Sequence, residues 1–533
     1  MFALICVTLL YALALADNLP KSKHDYETSE SGNPFILGNY SDPACAYYGA
    51  AYWVFATNNS GSPPSIAVFS SPNLVQWTTH EKALTINDFA WAKGYLYSPS
   101  TVYSNVTSKY YLYFSAADYP HDPTINATTD GFSGIGVGVA EKPEGPYTNP
   151  IPNNAALLSS DNENLTVADA DGPAVMIDDD KQVYMYYGQN GTLRVMRLDE
   201  NTMTGFKDDD YTVVTPAQYY EGAKVFRRSD IYYLIWSEGP LPKRLSQSFP
   251  SGIRYGMSRN PMGPFLESGK ILMPDPAVAV NISHSAIIKV PSIDIWYMLY
   301  ARSQTIYGNE NPTMGLAYDR MYFDWDKSGV INGFIKPVKM LVKNNFNDYN
   351  CQGRGLWLRH NATIGSSLGP TPYSGTCLKI DASDGGMVIT PTNHTRMRYD
   401  IDLRVWNETS ETASAGVVFR GRNVTLDSGG SDDYEGYYAG ITVDKNLILG
   451  VANGSFKMLE SVSLEANFNV SHFHHLRIAA EGNNISVYLD HQHNLSVLDG
   501  TYSSGWSGMR VHQAVGLFDN LEISRFGSAY LPV

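Results

Sequence analysis

Charge is scarce in this sequence, and cysteine is scarcer. Only 17 % of the 533 residues are Asp, Glu, Lys or Arg, and 53 acids against 38 bases leave a net charge of −15. The shortage of bases removes the electrostatic footprint of a nucleic-acid binder or of a protein held to anionic lipid. Four cysteines are too few for a disulfide scaffold, and none is spaced with histidine as a zinc site requires. Membrane-spanning runs are missing too, since the longest apolar stretch, Phe2 to Ala16, falls short of the ~20 residues a bilayer needs. Helical periodicity is not sustained anywhere in the first two-thirds. What remains is a globular chain, 43 % hydrophobic, too long for one ordinary core, so two domains are expected.

The Phe2–Ala16 run ends in Ala14-Leu15-Ala16, a small-residue cleavage pattern, although the basic flank of a signal peptide is absent. Residues 1–16 are expected to be a signal peptide, residues 17–30 a polar arm, and the protein secreted and extracellular. About fifteen Asn-x-Ser/Thr sites, among them Asn39, Asn105, Asn190, Asn361, Asn423 and Asn494, fit a glycosylating secretory route. Cys6 leaves with the signal. An oxidising compartment then permits a Cys351–Cys377 disulfide, with Cys45 left as a buried free thiol.

Against this background one element recurs. A short aromatic strand appears as Tyr52–Thr57, Tyr110–Ser115, Tyr184–Gly188, Tyr232–Ser237 and Trp296–Tyr300, at intervals of roughly fifty to seventy residues. Each copy is followed by a second strand and a Pro/Gly/Asp turn closing on an aromatic: Ile66–Trp77, Ile135–Tyr147, Leu193–Phe206, Ile253–Phe265 and Met314–Phe323. Five repeats of strand, hairpin, strand and turn predict an all-β chain whose residues 31–338 form a five-bladed β-propeller. A two-sheet sandwich is the competing account. Beyond it, short alternating segments such as Met397–Val405, Ala415–Arg420, Asn446–Ala452 and Ile485–Leu489 predict a β-sandwich of jelly-roll or concanavalin-like type over residues 339–533.

Carboxylates recur at one phase of the repeat. Asp42, the Asp169-Ala170-Asp171-Gly172 segment and Glu221 each precede an aromatic strand by about ten to fifteen residues. Equivalent positions of a circular repeat face one axis, so the three are expected to converge. Two convergent carboxyl groups, one ionised and one protonated, are the equipment of glycoside hydrolysis. Taken singly, Asp42 before Pro43 reads as a turn opener and Glu221 beside Gly222 as a loop cap. Asp178-Asp179-Asp180 reads as a solvated hairpin turn.

These segments, in order, resemble glycoside hydrolase family 43 over nearly all of Asn33 to Lys336. The matching stretches are Asn33-Pro34 through Ser41-Asp42-Pro43, Trp91-Ala92, Ile135 to Val139, Gly145-Pro146-Tyr147 and Asp178 to Asp180. They continue with Glu221-Gly222, Trp236 to Gly239, Ser283-His284-Ser285 and Asp319 to Asp324. The resemblance implies an inverting enzyme with Asp42 as general base, Glu221 as general acid and Asp171 as the group that tunes and orients the acid. Asp169 is the rival for that third role, because Gly172 occupies the family's usual Asp position. The resemblance further implies His284 in the central channel, near the site or a structural calcium, and Arg320 and Trp91 beside the sugar. Their plainer alternatives are a structural histidine, a surface ion pair and core packing. No cofactor is expected for the chemistry itself. The implied partner is plant polysaccharide, arabinoxylan or arabinan, cut to arabinofuranosyl or xylosyl units. An exo-acting galactan hydrolase and a non-catalytic carbohydrate-binding propeller are the alternatives.

Overall fold

The computed structural model describes residues 33–525 except 37, 75–76, 118–132, 160–169, 189–190, 209–210, 240–251, 274–277, 305–313, 326–330, 336–337, 339–341, 345–357, 361–362, 366–376, 383–385, 407–409, 411 and 425–432. Over these it is all-β, with two single-turn 3-10 segments at Ile86–Asp88 and Pro152–Asn154. No helix among the described residues is long and apolar enough to cross a membrane.

Five antiparallel sheets follow one another along the chain. Blade one is Tyr40–Tyr48, Ala51–Asn58, Ser65–Ser71 and Thr78–Thr85; blade two is Leu96–Ser104, Lys109–Ala117, Ser133–Ala140 and Leu158–Ser159. Blade three is Ala174–Ile177, Val183–Tyr187, Arg194–Leu198 and Thr212–Val213. Blade four is Tyr219–Arg228, Ile231–Glu238, Ile253–Ser258 and Leu266–Leu272. Blade five has Ala279–Lys289, Trp296–Gln304 and Met314–Met321. The first strand of each blade packs on the first strands of its two neighbours, and that of blade five packs on that of blade one. This closed ring makes the five sheets a propeller rather than a sandwich.

The aromatic repeat is the second strand of each blade. Such a strand is covered on both faces by neighbouring blades, which removes the polar alternation of a half-exposed strand. Val54, Phe55, Leu112, Phe114, Met185, Tyr186, Leu234, Trp236, Met298 and Tyr300 are accordingly all fully buried. Five hydrophobic clusters separate successive blades, and the cluster holding Val54, Phe69, Leu299 and Leu316 joins the last blade to the first.

The ring is closed by the start of the chain. Leu316 N donates to Ile36 O at 2.9 Å and Phe35 N donates to Leu316 O at 2.9 Å. Asn33 fixes that seam: its Nδ2 donates to Asp319 Oδ1 at 3.0 Å and its Oδ1 accepts from Tyr318 N at 3.1 Å. Arg302 Nη2 donates to Asn33 O at 2.7 Å. The Asn33-Pro34 and Asp319 stretches are therefore two halves of one closure, nearly three hundred residues apart in sequence.

The second unit is a sandwich. Its seven-stranded sheet is Leu358–His360, Gly386–His394, Gly505–His512, Ser414–Arg422, Glu435–Thr442, Asn446–Asn453 and Phe456–Ser463. The facing eight-stranded sheet includes Cys377–Ala382, Ala514–Arg525, Met397–Trp406, His474–Glu481, Asn484–Leu489 and Gln492–Leu498. Alternate residues of both sheets, such as Tyr399, Ile401 and Leu403 against Val417, Phe419 and Tyr437, fill one core. Cys377 is buried on its strand; Cys351, its expected partner, lies outside the described residues.

Candidate active site

The geometry of the channel mouth comes from a repeated backbone irregularity. In four blades the first strand slips register against the second: between Ser41 and Ala44, Tyr97 and Ser100, Glu221 and Lys224, and Ser283 and Ser285. At each bulge, and at the start of blade three, one residue takes a positive φ: Asp42 at 51°, Ser98 at 51°, Gly172 at 60°, Gly222 at 69° and His284 at 36°. A bulge re-aims a side chain that a regular strand would point into the blade. Three of the five are not glycine, although positive φ costs a residue with a Cβ of order 1 kcal/mol or more. Gly222 has a second reason to be glycine, since a Cβ there would lie 2.4 Å from His284 Cδ2.

These bulges, with the Gly172 turn before blade three, bring Asp42, Asp171, Glu221 and His284 to one end of the ring. His284 Nδ1 stands 2.6 Å from Asp42 Oδ1, an ion-pair distance, although off the line of a hydrogen bond. Its Nε2 is 4.0 Å from Glu221 Oε1. Burial alone would lower the His284 pKa, but Asp42 first and Glu221 second outweigh it and push the ring up to about 9. Asp42 is shaped by the opposite balance. Burial would raise its pKa, yet the His284 charge and hydrogen bonds from Thr57 and Ser41 hold it well below the usual carboxylate range. Thr57 Oγ1 donates to Asp42 Oδ2 at 2.7 Å and Ser41 Oγ at 3.1 Å.

Asp171 differs in sign. Burial pushes its carboxyl up to about 6, and the nearby Glu221 adds to the rise, against hydrogen bonds from Ser115, Tyr97 and Gly172. Tyr97 OH donates to Oδ2 at 3.0 Å, and Gly172 N donates to Oδ1 at 2.6 Å. Gly172 supplies the turn that aims Asp171 at the axis. Its rival Asp169 lies outside the described residues. Glu221 is the most open of the group, with its side chain 32 % exposed against 12 % for Asp42. Asp42 is thus held ionised, Asp171 is held toward protonation, and Glu221 opens to solvent.

Trp91 packs within blade two, and Arg320 stands apart from these groups. Trp91 is half-buried against blade two, parallel to Phe114 with ring centroids 6.3 Å apart, and fills the space beside Gly134 and Gly136. Arg320 is on the third strand of blade five, two strands out from the axis, with its guanidinium over the rings of Tyr322 and Tyr297. Asp178 is more than a solvated turn residue. It accepts from Tyr232 OH at 2.5 Å and from Arg227 Nη1 at 2.9 Å, which ties blade three to blade four.

A calcium ion takes six to eight oxygen ligands. Among the described residues no group of three or more His, Cys, Asp or Glu side chains could hold a metal ion, and the nitrogens of His284 face Asp42 and Glu221.

Sequence reasoning missed Tyr97, Thr57, Ser115 and Lys224. A signal for three of them was present. Tyr97 and Ser98 occupy the carboxylate phase of blade two, while Thr57 and Ser115 end the aromatic strands opposite Ser41 and Tyr97. Lys224 had no such mark.

A five-bladed propeller with two or three carboxylates at one mouth of its channel has the build of a glycosidase. Its sequence agrees. The family model described as Glycosyl hydrolases family 43 matches residues 31–331, and the chain belongs to that family. Among curated proteins it is similar to the β-D-galactofuranosidase xynD of Aspergillus niger, 30 % identical over 313 residues, which cover 56 % of this chain and 83 % of that protein. It is 27 % identical to the arabinoxylan arabinofuranohydrolase of Paenibacillus polymyxa over 47 % of this chain and 40 % of the other. Among solved structures, an α-L-arabinofuranosidase from Clostridium thermocellum is 26 % identical over 56 % of this chain and 93 % of that one, with a TM-score of 0.43. The protein is a glycosidase that hydrolyses O-glycosyl bonds.

Proposed function

We propose that the enzyme releases α-L-arabinofuranosyl or β-D-xylosyl units from arabinoxylan or arabinan with inversion at the anomeric carbon. The observation that carries the mechanism is the imidazole ring between two carboxylates. Asp42 at one nitrogen of the ring and Glu221 at the other are two carboxylates brought to one channel mouth, the pair an inverting hydrolase needs. Asp42, ionised and held by Thr57 and Ser41, takes a proton from water as the water oxygen bonds to the anomeric carbon. Glu221 gives its proton to the glycosidic oxygen as that bond breaks, and solvent resets both groups. Asp171 orients the acid. The sequon density supports placing this activity outside the cell.

The sugar rests on the relatives, two of which are named for arabinofuranosyl release. The Aspergillus relative favours a second reading, in which the furanose is galactose. The test is release from nitrophenyl arabinofuranoside, xyloside and galactofuranoside and from arabinoxylan, with the product anomer followed by NMR. An inverted pentose supports the proposal and an inverted galactose the second reading. A retained anomer rejects the inverting mechanism, and no release from any of the four rejects both readings.

A further inference from the structure

Blade two contributes no acid or base to the channel mouth, yet three other blades are tied to its bulge. Ser98 N donates to Thr57 Oγ1 of blade one at 3.1 Å, and Thr57 in turn holds Asp42. Ser100 Oγ accepts from Val175 N of blade three at 2.9 Å. Between them, Pro99 O accepts from Lys224 Nζ at 3.1 Å. Lys224 stands on the first strand of blade four, three residues after Glu221. Blades two and four are not neighbours in the ring, since blade three lies between them, so this side chain reaches across the axial channel.

We propose that Lys224 is a positioning residue for Asp42: its ammonium crosses the channel beneath the carboxylates, pins the blade-two bulge that supports Thr57, and supplies a fixed positive charge under the base. The inference rests on the reading of Asp42 as general base. A flexible lysine ordinarily keeps its strongly hydrated charge in water. Here burial pulls its pKa down to about 8, against the opposing pull of the Asp42 charge. The groups that face it are Asp42 and Cys45 from blade one, His284 from blade five and the Pro99 carbonyl from blade two. Those that face Asp42 are His284, Thr57 and Ser41 as well as Lys224. Asp171 and Tyr97 belong to the Glu221 side of the pocket. Cys45 is half-buried, its thiol pushed up to about 12 by burial, so it stays neutral beside the ammonium.

Removing the cation makes the Asp42 carboxylate harder to keep, so its pKa rises and the acid limb of the rate profile moves toward neutral pH. In Lys224→Met, kcat is expected to fall about 10–100-fold with KM within about threefold, and the acid limb of kcat/KM to rise by about one pH unit. Lys224→Gln can still donate to the Pro99 carbonyl without charge, and it decides the matter should the methionine variant not fold. It should show the same displaced limb, and Lys224→Arg should restore the limb toward the wild type. A purely structural residue would lower Tm and leave the profile in place. An unmoved acid limb in the glutamine variant, with wild-type hydrolysis intact and Glu221→Gln inactive, overturns the inference. Wild type without hydrolysis of any glycoside overturns the reading beneath it instead.

Discussion

Each domain holds a histidine clamped between acids, and the two clusters differ in what they leave undone. In the sandwich, His475 meets Asp402 at 2.9 Å and Asp400 at 3.0 Å. Asp400 also accepts from Arg398 Nε and Arg477 Nε, both at 2.6 Å, and Asn520 donates to Asp402 at 2.8 Å. Every acid there has a cation or an amide. In the propeller, His284 serves Asp42 and approaches Glu221, while Asp171 has hydrogen bonds but no cation among the described residues. Both histidines are pushed up to about 9. A displaced pKa therefore does not separate a site from a structural network. Incomplete pairing does.

That comparison can be broken experimentally, and the largest contrast is between Glu221 and Asp400. Glu221→Gln should lower kcat on arabinoxylan about 10³-fold, and less on nitrophenyl glycosides, whose leaving group needs little protonation. Asp400→Asn should leave kcat within about twofold while lowering Tm, because it leaves three half-buried cations short of a partner. A reversed result, with Asp400→Asn inactive and Glu221→Gln active, would place the chemistry in the wrong domain. Next comes Gly222→Ala. The new Cβ has to displace His284, so activity should fall about 10²-fold, with kcat more affected than KM. Near-wild-type turnover would mean that the histidine position is unimportant.

Asp171→Asn sharpens the contrast from the side of stability. Burial raises the folded pKa above its ordinary value of 3.8, to about 6. The folded state then holds a proton the unfolded state has lost, and stability falls as pH rises from about 4 to 6. Above pH 6 the ionised group costs the fold roughly 3 kcal/mol. The variant should therefore match or exceed wild-type Tm at pH 7 while kcat falls about 10–100-fold. A Tm several degrees lower would show that Asp171 is a structural group. The smallest effect is expected for His475→Gln. Burial would lower this histidine's pKa, but Asp400 and Asp402 raise it, so its contribution is complete below about pH 6.5 and fades as pH passes about 9. The variant should lose a few degrees of Tm at pH 6 and almost none at pH 10, with kcat unchanged. A constant deficit across that range would point to lost packing, not charge.

Much of this was legible in the residues. The five aromatic strands are legible because a strand buried on both faces loses its polar positions, and that loss is written locally. Sandwich strands such as Met397–Trp406 and Asn446–Asn453 are legible for the complementary reason, their alternation. Phase within the repeat singled out Asp42, the segment from Asp169 to Asp171 and Glu221, since a circular repeat maps equal phase onto one axis. Trp91 and Arg320 were not separable from packing residues, because a lone ring or guanidinium carries no phase.

The sequence by itself determined the repeat, its number of copies and the carboxylates at its mouth, all properties of local pattern. Only the tertiary structure decided how those groups are charged. The proximity of Asp42 to His284, the burial of Asp171 and the reach of Lys224 to Pro99 join blades 50 to 240 residues apart. Desolvation and Coulomb interaction depend on distance in space, and the closing of the ring by Asn33 and Asp319 is what sets those distances.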